Sequence, residues 1–517
     1  MEPEETVGQK VTRGLAFNAI RIVLSAVLSL VYSIVAVRFL HIQNFGVVAF
    51  LDSIFSLLGA FFMPLTQQAQ SRYIPELLAQ GNRPQVRRLI GVGQKINILL
   101  AFGFSLPFLI FATPIAQALG NQSWALYIQL MAISLIISAA LGILKAILNA
   151  FYDQKFLSVW ETFFSFASLI LLITFVVLLN WGVTGAILVG LVTYGASAAL
   201  YYYRMNSKYS ANVKGESVPL GKSLQSRVQK YVVPNALTNL VSQFGSTYGG
   251  VVFLGLFANP TAVAYFDIPN TFVQRAFSQV YIIIGGLSLV SLVEVNVRDS
   301  TKLKVAVRQF VKFTSIYALP VMAGGFVLAS PILTVLYGAQ AAPAVVPFQI
   351  LVVVSCISTI LQFSSTLLYV LEKAFRAFVW TVVEAGTLLG MNILLIPSFG
   401  VMGAVVAVAV SSLLGTAIFT YDASVRLGVG NIVPMGAVGR TAAASFIMAL
   451  VVYAIGLSFP IVGAVGLVLV MLIGIGVYLA FIRILGVLNE TDRRLVESSS
   501  IPMKKLLIRL LWKKRVE

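Results

Sequence analysis

The chain is nearly devoid of cysteine and histidine, with one residue of each among 517. Cys356 lies within an apolar run, and His41 lies in a short polar segment, HIQN. One cysteine excludes an intrachain disulfide, and this pair alone excludes a Cys/His metal cluster. We therefore interpret Cys356 as a buried structural thiol and predict no metal and no cofactor. His41 is expected in a loop, the alternative being a proton carrier.

Charge is also scarce, because only 10% of residues are charged and 59% are hydrophobic. A soluble domain is roughly 25% charged. Membrane barrels alternate polar and apolar residues along each strand, whereas the apolar runs here are continuous for about 20 residues or longer. The composition therefore predicts an all-α polytopic membrane protein.

The apolar runs predict fourteen transmembrane spans, separated by two kinds of loop. The predicted spans, numbered 1 to 14, cover 14–40, 45–71, 91–112, 123–151, 157–180, 183–203, 231–257, 262–293, 309–333, 344–371, 374–396, 401–421, 438–459 and 461–484. Seven connections lack lysine and arginine altogether: HIQN, GNQS, NWG, ANPT, YGAQAAP, PSFG and SFPIVG. The other connections and both termini belong to the basic set.

This asymmetry predicts the orientation of the chain. Lysine and arginine concentrate on the cytoplasmic side of membrane proteins, so we expect both termini in the cytoplasm of a cell whose plasma (inner) membrane holds the protein. The start, MEPEETVGQK, is not the basic start of a cleaved signal. The net charge of +18 is then explained mainly by basic residues that set the topology and attract anionic membrane lipids. It gives little reason to expect nucleic acid as a partner.

Spans 1–6 and 7–12 read as two copies of one unit. Each copy has an even number of spans, so both face the same way, as in parallel-repeat transporters whose lobes rock around a site between them. The matching stretches recur at a nearly constant offset: 13–29 with 230–246, 111–120 with 328–338, and 181–187 with 399–405. The predicted regions are an N-terminal lobe 1–210, a cytoplasmic linker 211–230, a C-terminal lobe 231–425, helices 13 and 14 within 438–484, and a basic tail 485–517.

Both copies begin with a polar helix face. Spans 1 and 7 carry polar residues at steps of three and four, which puts them on one side of a helix. Lipid cannot satisfy such groups, so the faces should point inward. These faces line a shared polar cavity, or they hold neighbouring helices together. The residues are Asn18, Arg21, Ser25, Ser29 and Tyr32 in span 1, and Asn235, Asn239, Ser242 and Ser246 in span 7.

Several charged residues lie inside predicted spans. Span 8 has a polar face with Asp267, Asn270 and Gln274, and Arg275 lies beside it; Asp52 lies in span 2 and Glu384 in span 11. A charge at mid-membrane costs at least ~2.5 kcal/mol, so such residues are functional candidates. Arg21 and Arg275 could grip phosphate, since arginine binds it bidentately. Alternatively they form structural ion pairs with Asp52, Asp267 or Glu384. Arg38, near an outer end, fits either interpretation.

Two segments carry a family resemblance. RFLHIQNFGVVAF (38–50) and SRYIPELLAQGN (71–82) resemble the start of polysaccharide flippases of the multidrug/oligosaccharidyl-lipid/polysaccharide exporter superfamily. The layout of six, six and two spans is similar as well. The resemblance implies export of an oligosaccharide linked through a diphosphate to an undecaprenyl or dolichyl lipid. It also implies that spans 13 and 14 shape a groove for the lipid tail.

Energy coupling is open, because Na⁺, H⁺, the membrane potential or product pull would each suit this chain, and glycan synthesis or polymerase proteins are candidate partners. Many polysaccharide flippases have an acidic residue in span 7, whereas SQFGSTYGG here has none. The main alternative is a cation-coupled multidrug and toxin extrusion antiporter. An enzyme of glycan assembly would need catalytic groups on an outer loop, and the short outer loops contain none. The tail MKKLLIRLLWKKR (503–515) is predicted to be an amphipathic helix on the inner membrane surface.

Overall fold

The computed structural model describes residues 7–245, 247–278, 300–427, 432–459, 461, 463–490 and 492–493. Side chains are described from Leu24 onward, except at 247 and 300–302. Every regular element in these ranges is a helix, which confirms the predicted all-α class. The α-helices are α1 Val7–Ala79, α2 Arg83–Ile110, α3 Ala112–Ala118, α4 Ala125–Ala150, α5 Gln154–Leu172, α6 Gly182–Lys208, α7 Ser210–Val213, α8 Lys222–Phe244, α9 Thr247–Phe257, α10 Pro260–Ser278, α11 Ser300–Val327, α12 Ala329–Tyr337, α13 Val345–Leu361, α14 Phe363–Val370, α15 Ala374–Leu427, α16 Met435–Ser458 and α17 Gly463–Ile484.

The helices are long and apolar enough for a multi-pass membrane protein. In the described ranges, ten helices could cross a membrane by length and composition, or eleven if the bent pair α8–α9 is one span. Two of the ten, α1 and α15, contain a residue with non-helical backbone, His41 (φ 63°) and Gly400 (φ 52°). These breaks fall in the predicted loops HIQN and PSFG. The count of fourteen spans stays a prediction.

Contacts divide the chain into two compact units. Unit 1 comprises Met1–Asp267 and Leu388–Ala404, and unit 2 comprises Ile268–Thr387 and Val405–Glu517. Helices in lipid associate through close packing and polar contacts, because lipid tails are as apolar as leucine. Both kinds of contact are found within the units.

Close packing in unit 1 depends on glycine. A Cβ atom on Gly46 of α1 would lie 1.8 Å from the carbonyl oxygen of Pro260, at the start of α10. A Cβ atom on Gly255 of α9 would lie 2.0 Å from the ring of Phe50, which is 1% exposed. Only glycine therefore permits α9 and α10 to approach the second half of α1 this closely.

Buried amides join α1, α2 and α4 in the same unit. Thr66 donates its hydroxyl to Asn97 Oδ1 at 2.9 Å, and Asn97 Nδ2 donates to the carbonyl of Ala139 at 2.8 Å. One helical turn further, Gln70 Nε2 donates to the carbonyl of Leu89 at 3.0 Å. Each bond crosses from one helix to another, so these polar groups hold the helices together.

An ion-pair clamp closes the basic end of unit 1. Asp153, between α4 and α5, lies 2.9 Å from Arg204 Nε and 3.1 Å from Lys208 Nζ, both on α6. Burial by itself would raise the pKa of the Asp153 carboxyl. The hydrogen bonds and charges of Arg204 and Lys208 outweigh burial and lower that pKa below its ordinary value of 3.8. The clamp therefore fixes the start of α5 on the end of α6.

Unit 2 has a corresponding clamp with its carboxylate on a different helix. Asp422, near the end of α15, lies 3.2 Å from Arg376 Nη2 and accepts a hydrogen bond from Trp380 Nε1 at 3.0 Å. Arg426 Nε lies 3.7 Å from the same carboxylate. The two halves of α15 are thus joined at their basic ends.

Elsewhere in unit 2, α16 and α17 pack beside α11. The Tyr478 hydroxyl of α17 donates to the carbonyl of Ile316 in α11 at 2.5 Å. Beyond α17, Asp492 forms an ion pair of 2.5 Å with Lys312, and the two side chains are only 2% and 10% exposed. Asn489 and Asp492 also cap each other reciprocally, backbone N–H to side-chain oxygen, at 2.7 and 3.0 Å. The segment after α17 is therefore anchored on α11.

Candidate functional site

The exposed surface of α8 falls into two strips of opposite character. Val233 and Leu237 are 48% and 52% exposed on one side. Asn239 and Ser242 are exposed and Asn235 is half-buried on the other side. Lipid satisfies an apolar strip but leaves amides and hydroxyls without partners. The apolar strip therefore suits a lipid environment, and the polar strip suits a water-filled pathway.

Polar groups on this strip make hydrogen bonds within α8. Asn235 Nδ2 donates to the carbonyl of Tyr231 at 2.7 Å, and Asn239 Nδ2 donates to the carbonyl of Asn235 at 2.9 Å. Between them, the Thr238 hydroxyl donates to the carbonyl of Pro234 at 3.0 Å. None of these three bonds reaches another helix, in contrast to the bonds that join α1, α2 and α4.

The described part of α1 shows a similar separation. Ser25, Ser29 and Tyr32 are half-buried on one side, while Val27 and Val31 are 54% and 38% exposed on the opposite side. The Ser29 hydroxyl donates to the carbonyl of Ala26 in the same helix at 3.0 Å. The polar face predicted for span 1 is thus continuous along one side of the helix from Ser25 onward.

Some predicted residues fall where the structure gives no description. Asn18 and Arg21 belong to α1, but their side chains lie outside the described part. Ser246 and the tail 503–515 lie outside the described residues altogether. The roles assigned to Asn18 and Arg21 consequently stay predictions.

The α10 helix carries the predicted polar residues of span 8. It continues as a helix across Pro269. Asn270 is buried at 3% exposure, Asp267 and Arg275 are half-buried, and Gln274 is exposed. These side chains therefore range from the packed interior of the protein to its accessible surface along one helix.

Asp52 in unit 1 lies among acidic and phenolic groups. Asp52 interacts electrostatically with Asp267 and with Tyr32, Tyr194 and Tyr248. Within the described part of the chain, Asp52 forms no ion pair with a basic residue. Carboxylates present negative charge and oxygen acceptors, and phenols present a hydroxyl oxygen beside an aromatic face. This group is suited to a proton or a cation, and not to a phosphate.

Glu384 in unit 2 packs on a glycine of the second half of α15. A Cβ atom on Gly415 would lie 2.6 Å from Glu384 Cδ. Next to Gly415, the Thr416 hydroxyl donates to Ser358 Oγ of α13 at 3.3 Å. Glu384 itself has no ion-pair partner among the residues that the structure describes. Those residues also include no group of three or more histidine, cysteine, aspartate or glutamate side chains able to hold a metal ion.

The sequence interpretation missed two structural groups. Lys312, to which the sequence analysis gives no role, lies inside α11 and is 8% exposed. Its position within predicted span 9 was the available signal, because a basic residue inside a span needs a partner. The segment TQQAQS (66–71), which supplies Thr66 and Gln70, is as polar as the stripes of spans 1 and 7. It could have been recognised by the same criterion.

Comparisons with known proteins identify a sequence family and several solved structures with a similar fold. The family described as "Polysaccharide biosynthesis protein" matches residues 34–346. Curated protein sequences give no significant match. Among solved structures, the fold is similar to that of "Lipid II flippase MurJ, inward closed conformation", with a TM-score of 0.71 and 16% identity, over 91% of this chain and 98% of that one.

The fold is also similar to that of a multidrug resistance MATE family transporter of the MOP superfamily. For its inward-facing conformation the TM-score is 0.66 at 13% identity, over 79% of this chain and 98% of that one. For its outward-facing conformation the TM-score is 0.54 at 13% identity, over 80% and 95%. At such low identity these likenesses establish the fold alone, whereas the family match spans more than half of the sequence. This multi-pass membrane chain therefore belongs to the polysaccharide biosynthesis protein family.

Proposed function

We propose that the protein moves a lipid-diphosphate-linked oligosaccharide from the cytoplasmic to the outer leaflet by alternating access, for the assembly of cell-surface glycans. The observation that carries this proposal is the family match over residues 34–346. The likeness to a lipid II flippase and the polar strip of α8 agree with it. A flippase must present polar groups to a head group while lipid surrounds its outer faces, and α8 has both kinds of surface.

The proposal includes two six-span repeats in a chain of fourteen spans. Backbone geometry supports the repeats, because residues with positive φ recur at the offset found in the sequence. Gly120 and Gly338 have φ of 84° and 91°, and Gly182 and Gly400 have φ of 53° and 52°. The interval within the first pair equals the interval within the second. Such a backbone is rare outside glycine, so its recurrence at matching positions favours a duplicated unit.

Side-chain contacts support the same duplication. Arg204 and Asp422 are separated by the same interval as these glycine pairs, and each lies in the clamp at the basic end of its unit. In the first copy, Arg204 stacks on Phe156 at 4.6 Å. In the second copy, Asp422 pairs with Arg376, and Arg376 lies close in sequence to the position equivalent to Phe156. Corresponding helix ends in the two proposed copies thus contact each other through a cation–aromatic stack in one and an ion pair in the other.

The proposed topology puts the basic ends of the helices in the cytoplasm, with both termini there and the protein in the plasma membrane. The lobes would be those predicted from the sequence, 1–210 and 231–425, joined by the linker 211–230. Helices 13 and 14 (438–484) and the tail (485–517) would follow as an addition to the second lobe. Anchoring of the segment after α17 on α11 agrees with that assignment.

For the head group, we propose a division of labour among the predicted site residues. Cationic side chains would bind the diphosphate, since guanidinium pairs with phosphate bidentately. Amides and hydroxyls of the polar faces would bind the sugars. Polymerase or synthase proteins would supply and consume the glycan. The cationic residues are Arg21 and Arg275, and the polar residues are Asn18, Ser25, Asn235, Asn239, Ser242, Asn270 and Gln274.

Energy coupling is proposed to use a cation at the acidic groups. Asp52 interacts with Asp267 in unit 1, and Glu384 lies against Gly415 in unit 2. A carboxylate without a basic partner inside a span is costly unless it binds a proton or a cation. Na⁺ or H⁺ would satisfy that requirement at Asp52 or at Glu384.

A second candidate function is cation-coupled multidrug extrusion. The group of two carboxylates and three tyrosines around Asp52 favours it, since an organic cation would find acceptors and aromatic faces there. The structural likeness to MATE transporters is compatible with this function as well. The two candidates differ in cargo, and one transport assay can separate them.

The test is transport of a fluorescent lipid-diphosphate-oligosaccharide in proteoliposomes. We expect the wild type to move this lipid and Arg21→Ala and Arg275→Ala to fail at equal folded amounts. Extrusion of an organic cation in a sodium or proton gradient, with no movement of the lipid, would replace the flippase proposal by the second candidate. The variant Arg308→Ala, an exposed arginine of α11, serves as the matched charge control.

A further inference from the structure

The polar strip of α8 uses its hydrogen-bond donors within its own helix. Asn235 Nδ2, Thr238 Oγ1 and Asn239 Nδ2 each donate to the main-chain carbonyl four residues earlier, at 2.7, 3.0 and 2.9 Å. A carbonyl oxygen only accepts hydrogen bonds, so the amide nitrogen must be the atom that faces it. The amide oxygens of Asn235 and Asn239 consequently point away from these carbonyls.

This arrangement leaves the strip rich in acceptors. Two amides and one hydroxyl have five donor hydrogens, of which three are used within α8, while the lone pairs of all three oxygens remain. Asn239 is exposed and Asn235 is half-buried, so at least one amide oxygen is accessible from outside the helix. The hydroxyl of Thr238, after donating to its own helix, can only accept from a ligand.

Such a surface selects ligands that donate hydrogen bonds. Sugar hydroxyls both donate and accept, so they can bond to the three oxygens as well as to the two remaining amide hydrogens, whereas the oxygens of an ionised diphosphate only accept and can use the two amide hydrogens alone. An acceptor left facing another acceptor loses its hydrogen bonds to water without replacement, which is unfavourable. Building on the flippase function, we propose that the polar strip of α8 binds the hydroxyl groups of the oligosaccharide in preference to the diphosphate.

Asparagine and threonine suit the positions 235, 238 and 239 of this strip. Both side chains can donate to the carbonyl one turn earlier and still present an oxygen. Lysine or arginine at the same positions would present donors only, and would attract the diphosphate. An ammonium ligand is also a donor, so the experiment must separate a sugar from a cationic drug.

The test compares two isosteric replacements at Asn239. Threonine can donate to the carbonyl of Asn235, as Thr238 does to that of Pro234, and keeps an outward acceptor. Valine has the same shape and presents none. Transport is measured in proteoliposomes for undecaprenyl diphosphate carrying N,N′-diacetylchitobiose and for undecaprenyl diphosphate without sugar. The quantity compared is the rate for the sugar-bearing lipid divided by the rate for the lipid without sugar. Leu237→Ala, on the apolar strip, is the control.

We expect Asn239→Val to lower this ratio on the order of 10-fold, the factor that accompanies loss of roughly one good hydrogen bond. Asn239→Thr should keep the ratio close to that of the wild type, and so should Leu237→Ala. If Asn239→Val does not fold, Thr238→Val against Thr238→Ser provides the same comparison one residue away. A reduced ratio in valine variants alone supports the sugar site.

Other outcomes overturn the proposal in distinguishable ways. If the wild type moves both lipids and valine leaves the ratio unchanged, the sugar assignment is wrong and the flippase function stands. If valine slows both lipids equally, the strip serves the diphosphate or the helix. If the wild type moves neither lipid but extrudes ethidium, and Asn239→Val slows that extrusion, the flippase function fails and the donor bound by α8 is an organic cation.

Discussion

The ion pair between Lys312 and Asp492 gives a quantitative prediction. Both side chains are nearly inaccessible, at 10% and 2% exposure, and the carboxylate also accepts the N–H of Asn489. Removing one partner of a buried pair typically costs about 3–5 kcal/mol, because the other charge stays buried without compensation. For Lys312→Met we expect the lower end, about 3 kcal/mol, since the N–H of Asn489 still solvates the carboxylate.

The cost should appear as local opening of the segment after α17. Each tenfold change in an equilibrium constant corresponds to about 1.4 kcal/mol, so a loss of about 3 kcal/mol should make the segment open on the order of 100-fold more often. Hydrogen–deuterium exchange of the amides of Val487 and Asn489, followed by mass spectrometry in detergent micelles, measures this rate directly. The control is Arg308→Met, one turn before Lys312 on α11, because Arg308 is exposed and its replacement should change exchange little.

The double variant Lys312→Met with Asp492→Asn decides whether the charge pair is the cause. It removes both charges, so exchange should be slower than the two single variants predict together. If Lys312→Met exchanges like the wild type, the buried pair does not anchor the segment. If the effects of the single variants simply add, the residues act through packing or capping and the argument from unpaired charge is refuted.

Three further predictions concern single sites. Asp153→Asn should lower stability by about 1–3 kcal/mol at neutral pH, because its basic partners are partly exposed. The pKa of the folded Asp153 carboxyl lies below 3.8, so the clamp contributes its full stability above that pH and loses it as the pH falls through the folded pKa. Thermal melts from pH 6 to 3 should therefore show this loss in the wild type and not in Asp153→Asn. Gly46→Ala should unfold the protein or lower its free energy of unfolding by at least ~3 kcal/mol. Gly91→Ala should change that free energy little or raise it, because its added Cβ meets nothing within 4 Å. Thermal melts of both variants at neutral pH check this. Gly415→Ala should displace the Glu384 carboxylate and alter the sodium or proton dependence of transport while the melting temperature stays near that of the wild type.

The sequence was informative wherever lipid imposes a strict requirement. Continuous apolar runs predicted an all-helical membrane protein, and loops without lysine or arginine coincide with the helix breaks at His41 and Gly400. Both follow from local rules on burying the backbone and placing charge. Fine span boundaries were less predictable, since α11 begins at Ser300, well before the start of predicted span 9, as the helix continues beyond its apolar stretch.

Pairing of polar groups could not be predicted, because it depends on which helices become neighbours. Nothing local to Asp492 indicates Lys312, which lies 180 residues away in the chain. The carboxylate of the basic-end clamp also precedes α5 in one unit and lies near the end of α15 in the other. Under the proposed duplication, corresponding helix ends contact each other through different residues in the two copies, so residue identity conceals the shared contact.

Polarity within a span does not by itself distinguish a structural contact from a transport pathway, and this chain contains polar stripes of two kinds. Thr66, Asn97 and Gln70 each form a hydrogen bond to another helix and are almost completely buried. Asn235 and Asn239 bond to their own helix, and Asn239 is exposed. The first arrangement uses polar groups to stabilise packing, and the second leaves acceptors available to a passing ligand. The destination of the hydrogen bond, more than the residue type, therefore identifies which polar stripe is a candidate for binding cargo.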